Sequence, residues 1–137
     1  MSATPSTSTS TTSALALALA EQFRTVLGTA DWELFRSLLT DDATWTLPGS
    51  NRISGEARGA DAVVERIRLI AGYGVNFELQ RVLVSRDNFA LSLHNTAERD
   101  GLVLDEYLAT VCFVRDGRIG AIETYLSDVP GMDAFFV

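Results

Sequence analysis

The residues best suited to chemistry lie in the second half of the chain, on segments where polar and apolar side chains alternate. Asn95 follows Phe89, Leu91 and Leu93 at two-residue spacing, which places all four side chains on one face of a β-strand. An amide on an apolar face must find hydrogen-bond partners, either among neighbouring side chains or in a bound ligand. Asn95 is therefore the first candidate for a residue that polarises or positions a small molecule.

The only histidine of the chain, His94, belongs to the opposite face of the same strand, where solvent or a subunit contact would surround it. Because an unperturbed imidazole titrates near neutral pH, His94 would suit proton transfer if a β-bulge turned it inward. A one-residue slip of the strands would have a similar effect and would exchange Asn95 and Tyr107 for His94 and Glu106. The sequence leaves both arrangements open.

Further polar candidates follow along the chain. Asp105 and Tyr107 share one face of the next strand, and Thr124 shares a face of the last strand with Ile122 and Leu126, so all three are possible polar contacts for a ligand. The hydroxyls of Tyr107 and Thr124 could donate a hydrogen bond to a ligand carbonyl. Asp128 follows the last strand and is a candidate for the rim of a pocket. A carboxylate beside a Pro-Gly pair is more often a solvated turn residue.

Metal and nucleotide chemistry are not indicated. With one cysteine and one histidine the chain offers no zinc cage, and the lone Cys112 lies in an apolar run, where a thiol behaves as a small buried hydrophobe. The glycines of PGSNRISGEARG match neither the dinucleotide fingerprint nor the Walker spacing. We therefore expect no metal and no cofactor.

The elements that must position these residues begin with helices. Residues 1–13 are almost entirely Ser, Thr, Ala and Pro, a composition that predicts a flexible tail before a single domain over residues 14–137. Helical apolar spacing runs from Ala14 to Gly28, a second short helix is capped by Asp31, and a third covers about 60–71.

The rest of the chain reads as strands. A first strand is predicted for 43–47, followed by a loop between Pro48 and Gly59. Four longer strands are predicted at 76–85, 89–98, 103–115 and 118–126. Short turns rich in Asp, Asn and Gly separate these strands, so consecutive ones should pair as antiparallel hairpins. The expected fold is α+β, with three N-terminal helices packed on a curved antiparallel sheet that encloses an apolar pocket.

Composition limits the partners. The chain has 137 residues, of which 47% are hydrophobic, and a net charge of −7, which is the wrong sign for neutralising nucleic acid phosphates or anionic lipid. The apolar stretch from Ala14 to Ala20 is short and has no basic residues before it, so neither a membrane span nor a signal peptide is predicted. We expect a cytoplasmic protein with a small hydrophobic substrate.

Several longer motifs resemble one known family. LLTDDATWTLPG, SGEARGADAVVERI, TAERDGLVLDEYLATVCFVRDGRIGAIETYLSD and the closing YLSDVPGMDAFF resemble the nuclear transport factor 2-like superfamily, in order, from about Ala14 to the C-terminus. Within it, the chain is most similar to SnoaL-like polyketide cyclases. The resemblance implies a cone-shaped fold and a homodimer.

The resemblance carries over the fold better than the catalytic residues. The base and the two oxyanion donors of ketosteroid isomerases correspond to Leu47, Ala109 and Phe23, so that isomerisation is disfavoured. The Arg and two Asp of limonene-epoxide hydrolases correspond to Leu93, Asn95 and Thr124, and the cyclase aspartate also falls near Thr124. Epoxide opening is therefore disfavoured, and acid/base aldol chemistry is in doubt.

Three hypotheses follow from a pocket without its family's acids. The first is a cyclase or isomerase that folds a flexible polyketide-like chain and assists it with neutral donors such as Asn95, Tyr107 or Thr124. The second is a non-catalytic module that binds a hydrophobic ligand, and the third is a structural dimerisation domain. The side chains expected to line the pocket are Phe23, Trp45, Leu47, Ile67, Tyr73, Leu93, Asp105, Ala109 and Leu126.

Overall fold

The computed structural model describes residues 4–137, with side chains described from Ser13 onward. Its elements, in chain order, are α1 (Thr4–Thr29), α2 (Trp32–Ser37), β1 (Leu39–Leu47), β2 (Gly55–Arg58), α3 (Ala60–Gly72), β3 (Asn76–Ser85), β4 (Asn88–Arg99), β5 (Leu102–Arg115), β6 (Arg118–Leu126) and α4 (Val129–Phe135). The six strands form one sheet in the order β2-β1-β6-β5-β4-β3. The predicted α+β class is confirmed.

The first helix begins at Thr4 rather than at Ala14. Its apolar side is anchored on β3 and β4 by Leu19, Phe23 and Val26, which are at most 7% exposed. Once a helix has such an anchor, further turns need no new nucleation, so a polar Ser/Thr segment can continue it. The tail predicted for residues 1–13 falls partly outside the described residues, and its flexibility stays a prediction.

The four long strands form the predicted meander. β3, β4, β5 and β6 pair antiparallel in sequence order. The three connecting turns place Arg86, Asp100 and Asp116 in left-handed backbone, with φ between 53° and 55°. Such turns match the twist of the strands they join. The register shifts within the β3–β4 and β5–β6 pairs add local bends, which help to curve the sheet over its helices.

Two elements were missed by the sequence patterns. β2 lies inside the predicted loop and pairs with β1 at the sheet edge. Arg66 of α3 supports this hairpin by donating hydrogen bonds to the carbonyl oxygens of Trp45, Ser54 and Gly55. β2 has only four residues, and the contacts that support it come from a helix later in the chain, so its sequence alone does not predict a strand.

The other missed element is α4, which was expected to be a solvated turn. Pro130 suits the first turn of a helix, where its missing N–H has no partner to lose. Asp128 caps this helix by accepting a hydrogen bond from the Gly131 N–H at 3.0 Å. The same cap chemistry was predicted correctly for α2, where Asp31 accepts from the Leu34 N–H at 3.0 Å.

Helices α1 and α3 cover the inner face of the sheet, and α4 packs against β5. The core between them is continuous and apolar, and it includes the fully buried Phe35, Leu91 and Ile119. None of the helices in the described residues combines the length and apolar character needed to cross a membrane.

Candidate functional site

An apolar cavity lies inside the core, between the inner face of the sheet and helices α1, α3 and α4. Its volume is ≈ 40 Å³, room for about three water molecules at roughly 15 Å³ each. The lining residues, nearly all apolar, are Phe23, Leu27, Trp45, Leu47, Ile53, Ile67, Ile70, Val75, Phe77, Leu93, Asn95, Leu108, Thr110, Met132 and Phe136.

Two polar residues line this cavity, and Asn95 is the more unusual of them. Its side chain is 6% exposed, and its Oδ1 has no hydrogen-bond partner among the described residues. Leaving a buried acceptor unpaired costs about 1–3 kcal/mol of stability. Within the described residues no other buried side-chain nitrogen or oxygen is left in this way, so the unpaired oxygen marks this wall as a place for a ligand group that donates a hydrogen bond.

Thr110, the second polar residue of the lining, belongs to a short buried network. It lies directly opposite Thr124 on β6, and their hydroxyl oxygens are 3.1 Å apart. Thr124 also accepts a hydrogen bond from the indole Nε1–H of Trp45 at 3.0 Å. When Thr124 donates to Thr110, the hydroxyl hydrogen of Thr110 remains to bond a ligand. Thr124 was predicted to act directly, but it lies behind Thr110, outside the cavity lining.

Glu106 is a buried carboxylate that the sequence analysis did not choose as a site residue. It is 1% exposed and pairs with Asn95 across β4 and β5. Its Oε1 accepts hydrogen bonds from the Asp128 N–H at 3.1 Å and from the Ser127 hydroxyl at 3.3 Å. Desolvation raises the pKa of Glu106 above its ordinary value. The slipped register considered above would have placed Glu106 in the pocket. Glu106 does lie on the inner face of β5, but it is not among the residues that line the cavity.

The face predicted for β5 is therefore wrong. Asp105, Tyr107 and Ala109 lie on the outer, exposed face, while Glu106 and Thr110 point inward with Leu108 between them. Apolar residues occur on both faces of β5, so alternation alone could not distinguish them. Asn95 was placed correctly, because its own face on β4 is apolar and the opposite face is polar.

His94 is on the outer face, as the strand alternation indicated, and does not reach the cavity. Its ring stacks on Tyr107 with centroids 4.2 Å apart. Nε2 lies 2.6 Å from Asp105 and Nδ1 lies 3.3 Å from Glu78. The hydrogen bond to Asp105, with a smaller contribution from Glu78, raises the pKa of His94. The suggested roles of His94 and Tyr107 in the pocket are accordingly not supported by their positions.

Three other predicted site residues lie outside the cavity lining. Asp128 is exposed and serves as the cap of α4, where its carboxylate bonds the Gly131 N–H. Tyr73 is buried beside Phe136, with ring centroids 4.8 Å apart, and donates a hydrogen bond to the Val137 carbonyl oxygen. Leu126 is half-buried at the end of β6.

The cavity does bring together Phe23, Trp45, Leu47, Ile67, Leu93 and Asn95, as expected. The sequence analysis missed the wall contributed by Met132 and Phe136, because α4 was not predicted. It also missed Thr110, because the face of β5 was misassigned. The available signal for α4 was the capping pattern of an Asp two residues before a proline.

The chemistry available to this cavity is limited to binding, orientation and neutral hydrogen bonding. No ionisable side chain is among its lining residues in the described part of the chain. Burial raises the pKa of the Cys112 thiol, which makes it a poor nucleophile. Over the described residues, no group of three or more His, Cys, Asp and Glu side chains is arranged to hold a metal ion.

Solved structures with the same fold come from several bacterial sources. Bal32a, from a soil-derived mobile gene cassette, is 27% identical, with a TM-score of 0.83 over 90% of this chain and 99% of that one. A protein from Jannaschia sp. CCS1, provisionally assigned as a SnoaL-like polyketide cyclase, is 15% identical, with a TM-score of 0.70 over 90% and 94% of the two chains. An epoxide hydrolase of M. tuberculosis, similar to limonene-epoxide hydrolase, is 22% identical, with a TM-score of 0.66 over 90% of each chain.

NTF2-like proteins are also among the similar structures, which confirms the predicted superfamily fold. No curated protein matches this chain. The model of the SnoaL-like domain matches residues 20–122, which span β1 to β5, the C-terminal part of α1 and the first half of β6.

Proposed function

We propose that this chain, which belongs to the SnoaL-like domain family, is a cyclase or isomerase of secondary metabolism that acts in the cytoplasm on a small, largely apolar, polyketide-like molecule. The shape and polarity of the cavity support this assignment, and so does the similarity to the Jannaschia protein. The catalytic contribution would come mainly from folding the substrate, because the lining offers no acid or base.

The unpaired Oδ1 of Asn95 is the observation that carries the proposal. A leucine at this position would remove an unsatisfied acceptor from an apolar wall, so the amide is unfavourable for folding alone. A ligand hydroxyl, or the enol form of a ketone, supplies the missing donor. Asn95 would thus fix one end of the substrate and favour one tautomer of it.

Thr110 provides a second point of attachment. Glu106, opposite Asn95, and Thr110 are four residues apart on β5, which corresponds to roughly 13 Å along the strand. Neutral donors and acceptors at that separation suit an elongated molecule with a polar group near each end. Confining such a chain between apolar walls removes rotational freedom and brings reacting atoms into contact, which can lower a barrier by several kcal/mol.

A binding module that performs no chemistry is the second candidate. The absence of ionisable groups from the cavity lining, within the described residues, favours it over an acid/base enzyme. The hydrogen-bonding groups on Asn95 and Thr110 serve recognition equally well. The two candidates differ in whether the bound molecule is returned unchanged.

The experiment incubates the purified protein with linear poly-β-keto thioesters and follows mass and chromatographic retention of the products. Conversion to a species of unchanged mass, or of mass reduced by one water, supports a cyclase or isomerase. Co-purification of unaltered ligand supports the binding module, and absence of both binding and conversion contradicts both candidates.

Two variants of β4 make the test specific to Asn95. Asn95→Leu should abolish conversion because it removes the amide from the cavity wall. Thr96→Leu is the matched control, since Thr96 is the next residue of β4 and belongs to the opposite face. Unchanged conversion by Asn95→Leu would contradict the role given to the amide.

A further inference from the structure

Helix α4 forms one wall of the cavity and follows β6 through a short connection. Met132 and Phe136 line the cavity and are 3% and 1% exposed. The cavity of ≈ 40 Å³ is well below the about 150 Å³ of a protein cavity that admits benzene. A substrate with even one ring therefore needs more room than the lining side chains leave in this arrangement.

Of the three helices that form walls of the cavity, α4 is the shortest. α1 and α3 are helices of 26 and 13 residues, whereas α4 has 7 residues. The connection has a clear fixed point, because Ser127 still pairs with β5. Its N–H donates to the Tyr107 carbonyl oxygen at 2.9 Å, and its hydroxyl accepts from the Tyr107 N–H at 2.9 Å.

The first attachment of α4 beyond this fixed point is Glu106. Its buried Oε1 accepts from the Asp128 N–H at 3.1 Å, directly before the helix begins. The second attachment is at the far end, where Asp133 Oδ1 accepts from the Ser50 N–H at 2.9 Å and from Asn51 Nδ2 at 2.6 Å. The helix thus has one carboxylate contact near each end. The residues that follow it accept further hydrogen bonds, from the Arg52 N–H to the Phe136 carbonyl oxygen at 3.3 Å and from the Tyr73 hydroxyl to the Val137 carbonyl oxygen at 3.1 Å.

We propose that Glu106 is a positioning residue for the cavity, whose carboxylate holds the start of α4 and thereby sets Met132 and Phe136, and that ligands enter when α4 is released. This inference rests on the proposed function in taking the cavity as the substrate site. Burying a carboxylate to fix one helix is costly compared with apolar packing. A hydrogen bond to Glu106 can be broken and formed again, so it allows the wall to open and to close. A helix held on β5 by apolar contacts alone would lack this release point.

Two ligand-free measurements report on the position of α4. Trp45 lines the cavity, so its quenching by acrylamide measures access to the interior once Trp32, the other tryptophan, is changed to Phe. Hydrogen exchange of the amides of α4, with α3 as the internal reference, measures release of the helix itself. Neither measurement depends on turnover, so failure of the proposed function would leave both results interpretable.

Three variants separate positioning from general packing. Glu106→Met keeps the length and removes the acceptor, while Glu106→Gln keeps an acceptor oxygen without the charge. Glu123→Met is the matched control, because Glu123 is exposed on β6. We expect Glu106→Met to speed exchange of α4 by roughly tenfold or more, as for loss of one hydrogen bond to a charged group, and to increase the quenching of Trp45.

Glu106→Gln and Glu123→Met should leave the exchange of α4 and the quenching of Trp45 close to those of the parent protein, and the exchange of α3 should be unaffected in all three. Equal exchange of α4 in Glu106→Met and the parent would overturn the proposal, and so would equal acceleration of α3 and α4. If Glu106→Met does not fold, Asp133→Ala releases the other end of the helix and should give the same pattern. In the parent protein itself α4 must exchange faster than α3, and an equal rate would overturn the proposal.

Discussion

Asn95 and Glu106 oppose each other directly on β4 and β5, and both side chains are buried on the inner face of the sheet. Their hydrogen bonding differs. Asn95 presents an unpaired oxygen at the cavity wall, whereas Glu106 is bonded to the segment that begins α4. One strand pair thus carries the group that would contact a ligand and the group that sets the opposite wall.

The stability of a Glu106→Gln variant should depend on pH in a defined direction. The folded protein raises the pKa of Glu106 by desolvation, although hydrogen bonds from the Asp128 N–H and from the Ser127 hydroxyl oppose the shift. The stability that this group contributes therefore falls as the pH rises from the pKa of Glu106 in the unfolded chain, near 4.5, through its higher pKa in the folded protein. In urea titrations, the free energy of unfolding of Glu106→Gln should therefore increase relative to that of the parent protein over that pH interval. A constant difference across it would contradict the buried-carboxylate assignment.

Thr110→Val should destabilise the fold by about 0.5–1.5 kcal/mol. The substitution removes a satisfied hydrogen bond to Thr124 and leaves the bond from Trp45 to Thr124 in place. The free energy of unfolding from urea titration tests this. An increase in stability would mean that the Thr110 hydroxyl, like Asn95 Oδ1, is effectively unpaired in the folded protein.

His94→Gln should lower stability in mildly acidic solution and have a smaller effect in alkaline solution. Asp105 on β5 and Glu78 on β3 flank the ring and raise its pKa. For a raised histidine pKa, the stabilisation is fully present below the unfolded pKa and is lost as pH rises through the folded pKa. Thermal unfolding at a series of pH values would reveal this trend, and a pH-independent effect would contradict it.

The homodimer implied by the family resemblance remains a prediction, and the outer face of the sheet is where we expect the contact. Tyr107, Phe113 and Tyr125 are 53%, 45% and 57% exposed there. Exposed aromatic residues in one area are typical of an interaction surface. Phe113→Asp should shift the protein toward monomer in sedimentation velocity. A parent protein that is monomeric at all concentrations would refute the prediction.

The sequence predicted the meander well, because strict alternation and turn residues act locally. Asn95 could be identified because the residues on the same face of its strand, Phe89, Leu91, Leu93 and Ala97, are all apolar. β5 could not be oriented in this way, since Val103 and Phe113 give its outer face as much apolar character as the inner one. The tertiary pairing decides that face.

The role of Glu106 was out of reach for a different reason. Its partners are Ser127 and Asp128, more than 20 residues further along the chain, and they meet it only after β6 has paired with β5. A carboxylate in a strand is normally read as a solvated residue. Helix α4 was missed because its Pro-Gly pair is the usual signal of a turn. In the folded protein Asp128 caps the segment and the helix packs against the core, so the helix forms in spite of that pair.

The most direct test of the account is the free energy of unfolding of Asn95→Leu, measured by urea titration beside the parent protein. Leucine is bulkier than asparagine, and its side chain would extend into the ≈ 40 Å³ cavity next to it. If Asn95 is retained for a ligand, replacing it should stabilise the protein by about 1–3 kcal/mol. A variant less stable than the parent would show that the amide serves the fold, and would contradict the assignment of this cavity wall to ligand recognition.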